Sequence, residues 1–213
     1  MFDRELFGKI CSVTCTFQEL ENFVSGINKK EFDLDNAFEK YYALDRILHA
    51  IQRYEEKEIT DRFLAYWACA YNWILMAGFK TETTKTTEIA VKDVLVYEIS
   101  DWLDSLSFFD EGEEWFDVNE YKEVFRALDE IYQNLAEWEF EYALTQEFRD
   151  DGYDILLLCI NTKKTLYLKI FVDCYGEYRI NGQDPWREED IDKAIQSLQS
   201  NGYQEMPFGS WEE

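Results

Sequence analysis

The sequence predicts an α+β fold, with a helical N-terminal portion of about five helices, a small antiparallel β-meander after it, and a C-terminal helix. Three observations lead to this prediction. Residues 63–79 carry no charge, although 31% of the chain is charged. Apolar residues recur at helical spacing on both sides of this segment, and near Trp138 the period changes from 3.6 to 2.

The uncharged segment predicts a core helix over residues 61–77. Thr60 can cap its start, Asp61 suits the positive end of the helix dipole, and Gly78 can end it in the left-handed conformation. A helix that is apolar on every side must be surrounded. A bilayer is the other possible surround, because about 17 residues is the lower limit for a membrane-spanning helix. Asn72 at the centre, with aromatic residues in the middle, favours a buried core helix instead.

Other helices are indicated in chain order. Thr16 and Glu19 form a capping-box pair that begins a short helix. Asp33 or Asp35 begins the next helix, whose apolar stripe runs on to Ile51. Residues 81–87 are linker-like, and residues 88–106 predict a further helix, although β-branched residues leave a strand possible there. Asp117 then caps a helix with an apolar stripe over residues 118–135.

The strands follow these helices. Trp138, Phe140, Tyr142 and Leu144 alternate with glutamates, which is typical of a half-buried strand. Residues 153–160, 165–173 and 177–180 predict further strands, and Asp184 begins the closing helix. We expect residues 1–110 to form a helical subdomain around the core helix and residues 111–213 an acidic α/β portion, although one continuous domain remains open.

The formal net charge of −24 is concentrated in the middle of the chain. Residues 1–100 hold 17 acidic and 12 basic residues, whereas residues 101–154 hold 18 acidic and 3 basic residues. Solubility alone is one explanation, and a surface that meets a basic partner is the other. Direct binding to nucleic acid or an anionic membrane is disfavoured, because phosphate neutralisation needs Lys and Arg.

The five cysteines and the single histidine, His49, argue against several kinds of chemistry. An odd number of cysteines suits the reducing cytoplasm better than a disulfide framework. Cys11 and Cys15 could share a helix face, but a zinc site would need two more ligands. No phosphate-binding glycine motif occurs. The sequence therefore predicts no cofactor and no metal.

An acidic surface is the candidate site. Alternate residues of a strand lie about 6.6 Å apart on one face, so Glu137, Glu139 and Glu141 would form a straight ladder of charges. Neighbouring phosphates of a nucleic-acid strand have a similar separation. We predict these partner-binding residues: Asp110, Glu111, Glu113, Glu114, Trp115, Asp117, Glu120, Glu123, Glu137, Glu139 and Glu141.

The function predicted from this surface is that of a non-catalytic, cytoplasmic, acidic inhibitor. It would block the basic groove of a nucleic-acid-processing partner, as phage anti-defence inhibitors and nucleic-acid mimics do. An immunity protein that neutralises a nuclease toxin is the alternative. A carboxylate- or metal-dependent hydrolase is the second alternative, with Asp154 and Asp173 as its best single acids.

Overall fold

The computed structural model describes residues 4–27, 34, 36–80, 87–109, 117–147, 153–161, 167–172, 178–180, 196–197 and 199–205. The chain divides into two compact units. One comprises Met1–Thr81 and Ile99–Asp129, and the other comprises Glu82–Glu98 and Glu130–Glu213. The division falls inside two helices, so it does not coincide with the predicted boundary at residues 110 and 111.

Seven α-helices make up most of the described residues. Their bounds are α1 Arg4–Cys11, α2 Phe17–Ser25, α3 Ala37–Tyr41, α4 Leu44–Glu55, α5 Asp61–Met76, α6 Thr87–Ser107 and α7 Val118–Gln133.

Helix α5 is the centre of the first unit, as the uncharged segment predicted. The Thr60 hydroxyl accepts a hydrogen bond from the Phe63 N–H at 3.1 Å, and Gly78 has a φ of 78° just beyond the helix. Trp67 is fully buried and its indole N–H donates to the Ile10 carbonyl at 2.9 Å. Because α1, α2, α3 and α4 all pack against it, α5 is a buried core helix. No helix in the described ranges is long and apolar enough to cross a bilayer.

The single helix expected up to Ile51 is instead two helices, α3 and α4, separated by Tyr42 and Ala43. At this break, backbone N–H and C=O groups find hydrogen-bond partners on the core helix α5. The hydroxyl of Tyr71 accepts from the Ala43 N–H at 3.3 Å and donates to the Tyr41 carbonyl at 3.0 Å. The guanidinium of Arg46 also donates to the Tyr41 carbonyl, at 2.6 Å. The break therefore depends on a residue that lies about thirty positions later in the chain.

Helix α1 was not predicted, and it corrects the expectation for the first two cysteines. Cys11 is its last residue and Cys15 lies beyond it, so the two share no helix face. Val13 follows in the left-handed region with a φ of 58°. The Val13 N–H donates to the Ile10 carbonyl and the Thr14 N–H to the Lys9 carbonyl, which is a Schellman ending. Burial of the valine side chain offsets the strain of this backbone conformation.

Helices α2, α6 and α7 begin and end close to the predicted positions. The reciprocal bonds of the capping box are both present between Thr16 and Glu19. Residues 88–106 are helical within α6, so the alternative of a strand there is wrong. In α7 the predicted apolar stripe is buried, with Phe125 and Leu128 fully enclosed.

The second unit contains an antiparallel sheet, of whose first four strands the structure describes only the backbone. The strands are β1 Trp138–Glu147, β2 Tyr153–Asn161, β3 Tyr167–Val172, β4 Tyr178–Ile180 and β5 Gln204–Glu205. Their order is β4-β3-β2-β1-β5. Strand β5 follows the helical residues 196–197 and 199–200 and pairs with β1 at Leu144 and Thr145.

The predicted fold class is therefore corrected. The molecule is mostly helical, with seven helices in the described residues where about five were expected. The sheet also differs from the expected three or four strands closed by a helix, because a fifth strand, β5, follows the helical residues 196–197 and 199–200 and pairs with β1. The prediction fused α3 with α4, omitted α1, and ended the chain on a helix without a strand after it.

Candidate functional site

Three of the predicted partner-binding residues lie on or beside α7, and their side chains are described and exposed. Asp117 precedes the helix, and its carboxylate accepts a hydrogen bond from the Asn119 N–H at 2.8 Å. Glu120 and Glu123 follow on the outer face. Residues three apart on a helix have Cβ atoms about 5–6 Å apart, so these two carboxylates are neighbours. We call Asp117, Glu120 and Glu123 the α7 acidic face.

The predicted ladder of glutamates assumed one regular strand over residues 137–141, and the backbone departs from that assumption. Glu137 belongs to a short 3-10 helix over Leu135–Glu137 and not to the strand. Glu139 and Glu141 do lie in β1, but the pairing with β2 shifts register between Phe140 and Tyr142. A bulge of this kind adds one residue to a strand and interrupts its regular pairing. The use of these glutamates in binding a partner stays a prediction.

The remaining predicted site residues cannot be compared with the structure. Asp110, Glu111, Glu113, Glu114 and Trp115 lie outside the described residues. Their assignment to a partner-binding surface stays a prediction.

Helix α7 is held firmly against two other helices of its unit. The Ser105 and Tyr121 hydroxyls are 2.7 Å apart, and the Trp102 ring meets the Tyr121 ring edge-on at 5.3 Å. Burial raises the pKa of Tyr121, and the nearby Glu120 charge adds to this. The Lys122 ammonium lies 3.0 Å from both carboxylate oxygens of Glu55, at the end of α4. The α7 acidic face is therefore carried by a well-supported helix.

Several carboxylates elsewhere in this unit are paired with basic side chains, although Asp45, Glu56 and Asp61 form no ion pair with a described residue. In α1, α2, α4 and the turn after α4, five glutamates form ion pairs: Glu5 and Glu19 with Lys9, Glu21 with Arg62, Glu55 with Lys122, and Glu58 with Arg53. Within the described part of the chain, by contrast, Asp104, Asp117, Glu120 and Glu123 form no ion pair. The charge of the first group is compensated internally, and that of the second group faces solvent.

Sequence reasoning missed an exposed surface made by α5 and α6. Phe108, just beyond α6, exposes 71% of its surface, and Trp73 on α5 exposes 37%. Asp101 and Asp104 are exposed on α6. At about 100° per residue, Asp101 and Asp104 are roughly 60° apart around α6. Their spacing on the side opposite Ile99, Leu103 and Leu106 was a signal that could have found them. We call Trp73, Asp101, Asp104 and Phe108 the α5–α6 face.

A hydrogen bond joins α5 to α6 at this face. The Asn72 amide donates to the Ser100 carbonyl at 3.1 Å. Trp73 and Asp101 directly follow these two residues in the chain. Burial raises the pKa of the Cys69 thiol on α5, and the charge of the Asp104 carboxylate raises it further.

The other candidate groups for chemistry lie on several different elements. His49 is exposed on α4. Cys11, Cys15 and Cys69 are free thiols, and burial raises the pKa of Cys11 and Cys15 to about 11. No group of three His, Cys, Asp or Glu side chains that could hold a metal occurs among the described residues. Asp154 lies in β2, paired with Gln146, and Asp173 is outside the described ranges.

No protein-family model, curated protein or solved structure matches this chain. The arguments about its function therefore rest on its own residues.

Proposed function

We propose that this protein is a non-catalytic, acidic binding protein that blocks the basic groove of a nucleic-acid-processing partner. The observation that carries the proposal is the uncompensated charge of the α7 acidic face, on a helix fixed by Tyr121 and Lys122. A rigid array of carboxylates can occupy a groove lined with Lys and Arg, because complementary charge speeds association and favours the correct partner.

The support comes from the difference between the two sets of carboxylates. Acids that pair internally contribute little field at a distance, whereas exposed and unpaired acids retain theirs. Glu120 and Glu123 are adjacent on one helix face, where like charges disfavour the isolated helix slightly. A basic partner would relieve that repulsion. We place the protein in the cytoplasm as part of this proposal, since the described cysteines are free thiols.

The test is capture of a partner by the immobilised full-length chain, followed by competition. Proteins retained from a cell lysate at low salt are identified by mass spectrometry and then challenged with excess double-stranded DNA. We expect a basic nucleic-acid-binding protein that DNA displaces, because both ligands would use one groove. A partner that DNA leaves in place would contradict groove blocking.

Two matched double variants distinguish an effect of the α7 acidic face from an effect of the total net charge. Glu120→Lys with Glu123→Lys reverses the α7 acidic face and should lower capture at least about tenfold. Asp45→Lys with Glu56→Lys makes the same charge change on exposed positions at the two ends of α4. This control should capture the partner nearly as well as the unmodified chain. Equal losses in both double variants would show that only total charge matters.

A further inference from the structure

The α7 acidic face continues along the helix into a basic residue. Exposed charged side chains recur at every third position here, in the order Asp117, Glu120, Glu123 and Arg126. Side chains three residues apart on a helix form one of the ridges that pack into grooves. Glu120 and Arg126 are about 9 Å apart along this ridge. We call these four residues the α7 ridge, which carries three negative charges followed by one positive charge.

Arg126 has no partner of opposite charge within the described part of the molecule. Arg53 and Arg62, by contrast, each pair with a glutamate. Glu123 lies one turn before Arg126, at a spacing that often produces an ion pair, yet the two form none. A guanidinium has five N–H donors in a planar fork that matches a carboxylate. That of Arg126 is therefore open to a carboxylate of another protein.

The order of charges on the α7 ridge restricts the groove that can receive it. Lysines and arginines of a groove complement the three carboxylates but repel Arg126, because like charges across an interface oppose association. A groove that only binds phosphates thus fits the end of the ridge poorly. Enzymes that transfer or hydrolyse phosphoryl groups with metal ions hold those ions with carboxylates, close to the bound phosphates. Such a groove offers both signs of charge.

Other occupants complement the α7 ridge less well. In a second copy packed antiparallel, Asp117 would face Arg126, but Glu120 would face Glu123. Attraction at the ends would be offset by repulsion in the middle, and a net charge of −24 on each chain opposes association. Nucleic acid and anionic lipid present phosphates, which the three carboxylates repel.

We propose that the partner is a metal-dependent nucleic-acid-processing enzyme, and that Arg126 determines specificity by pairing with a carboxylate that holds the enzyme's metal ion. Asp117, Glu120 and Glu123 occupy the places of phosphates, and the guanidinium occupies the place of the metal. Arg126 also sets the direction of α7 in the groove, since the reversed ridge would bring like charges together. The inference rests on the proposed function, because it names the class of the same partner.

The first test uses two synthetic helical peptides of about 15 residues. Each carries a row of arginines spaced as on the α7 ridge, which ends in glutamate in one peptide and in arginine in the other. Calorimetry measures their affinities for the full-length chain. Arg126→Glu should weaken binding of the glutamate peptide at least about tenfold and strengthen binding of the arginine peptide, because the variant exchanges an attractive pair for a repulsive one.

Arg4→Glu is the matched control. Arg4 is exposed on α1 and forms no ion pair with a described residue, so this variant makes the same charge change away from the α7 ridge. It should alter the affinities of the two peptides in the same direction. Thermal unfolding of both variants should match that of the unmodified chain, since both arginines are exposed.

The second test uses the protein that DNA displaces from the immobilised chain. Its retention is compared in Mg²⁺ and in EDTA at equal ionic strength. Mg²⁺ should reduce retention by the unmodified chain at least about tenfold, because the ion and the guanidinium compete for one carboxylate. Retention by Arg126→Gln should be weaker in EDTA and should no longer depend on Mg²⁺.

The inference is overturned if neither peptide binds, or if Arg126→Glu changes their affinities as Arg4→Glu does. It is also overturned if Mg²⁺ leaves retention of the DNA-displaced protein unchanged, or if sedimentation shows a dimer of the chain that Arg126→Glu dissociates. The proposed function is judged by displacement with DNA alone. A partner that DNA displaces and Mg²⁺ does not affect would therefore support groove blocking and contradict the role of Arg126.

Discussion

Several glutamates of α1, α2 and α4 have charged partners that Asp104, Glu120 and Glu123 of α6 and α7 lack. In the first region these glutamates pair with lysine or arginine, and Glu19 also accepts a hydrogen bond from the Thr16 N–H. In the second region, Asp104, Glu120 and Glu123 are exposed and form no ion pair with another described residue. The comparison teaches that sequence density of acids says little about their role until their partners are known. We expect charge changes to affect folding in the first region and binding in the second.

The largest effect is expected where a charged group also satisfies buried backbone. Arg53 donates to the Val13 carbonyl and pairs with Glu58 at 2.9 Å. Arg53→Met keeps the apolar stem but leaves that carbonyl without this donor, so the free energy of unfolding should fall by about 1–3 kcal/mol. Urea denaturation measures the change. A loss no larger than that of Glu123→Gln would contradict the comparison.

The capping box of α2 should give the next largest effect. Thr16→Ala removes the acceptor for the Glu19 N–H, which lies 3.2 Å from the threonine hydroxyl. Loss of an N-cap typically lowers the free energy of unfolding by about 1 kcal/mol. Thr16→Ser retains the oxygen and should recover most of that loss in the same urea titration. If alanine and serine behave alike, the cap is not a stabilising feature here.

The acid dependence of stability sharpens the comparison further. The Thr16 backbone N–H and then the Lys9 ammonium lower the pKa of Glu19 from 4.5 to about 2. A depressed pKa in the folded state stabilises the fold above pH 4.5, and this stabilisation disappears as the pH falls towards 2. Glu19→Gln should therefore flatten the dependence of the unfolding midpoint on pH between pH 4.5 and pH 2. A curve as steep as that of the unmodified chain would be evidence against this role.

The smallest effect is expected on the α7 acidic face. Glu123→Gln removes an exposed carboxylate without an ion pair among the described residues, so the free energy of unfolding should change by no more than about 0.5 kcal/mol. The same variant should weaken partner capture in the pull-down. Thermal unfolding and capture, measured on one preparation, test both statements. A clear loss of stability would show that Glu123 belongs with the carboxylates that stabilise the fold.

Local signals in the sequence predicted the helices whose ends are set locally. In the N-caps of α2, α5 and α7, the two bonded residues are no more than three positions apart in the chain. The local sequence pattern therefore indicates these caps. The Schellman ending of α1 was missed because the left-handed position holds valine, and a β-branched residue is the opposite of the usual signal there. The bulge in β1 likewise contains no glycine that would have indicated it in the sequence.

The candidate site was predictable only in part. The charge density pointed to α7, and the exposed acids there are where helical spacing put them. The alternation of glutamates and apolar residues from Glu137 onwards did not indicate the 3-10 helix before β1 or the register shift within it. The α5–α6 face requires knowledge of which helix lies beside α6. That information is in long-range contacts such as the bond between Asn72 and Ser100.

The hydroxyl of Tyr71 has a consequence for engineering of this molecule. This one hydroxyl accepts a hydrogen bond from the Ala43 N–H and donates one to the Tyr41 carbonyl, at the break between α3 and α4. Phenylalanine would fill nearly the same volume, yet it would remove both of these hydrogen bonds. Interior redesign of this protein must therefore preserve that oxygen as well as the shape of the ring.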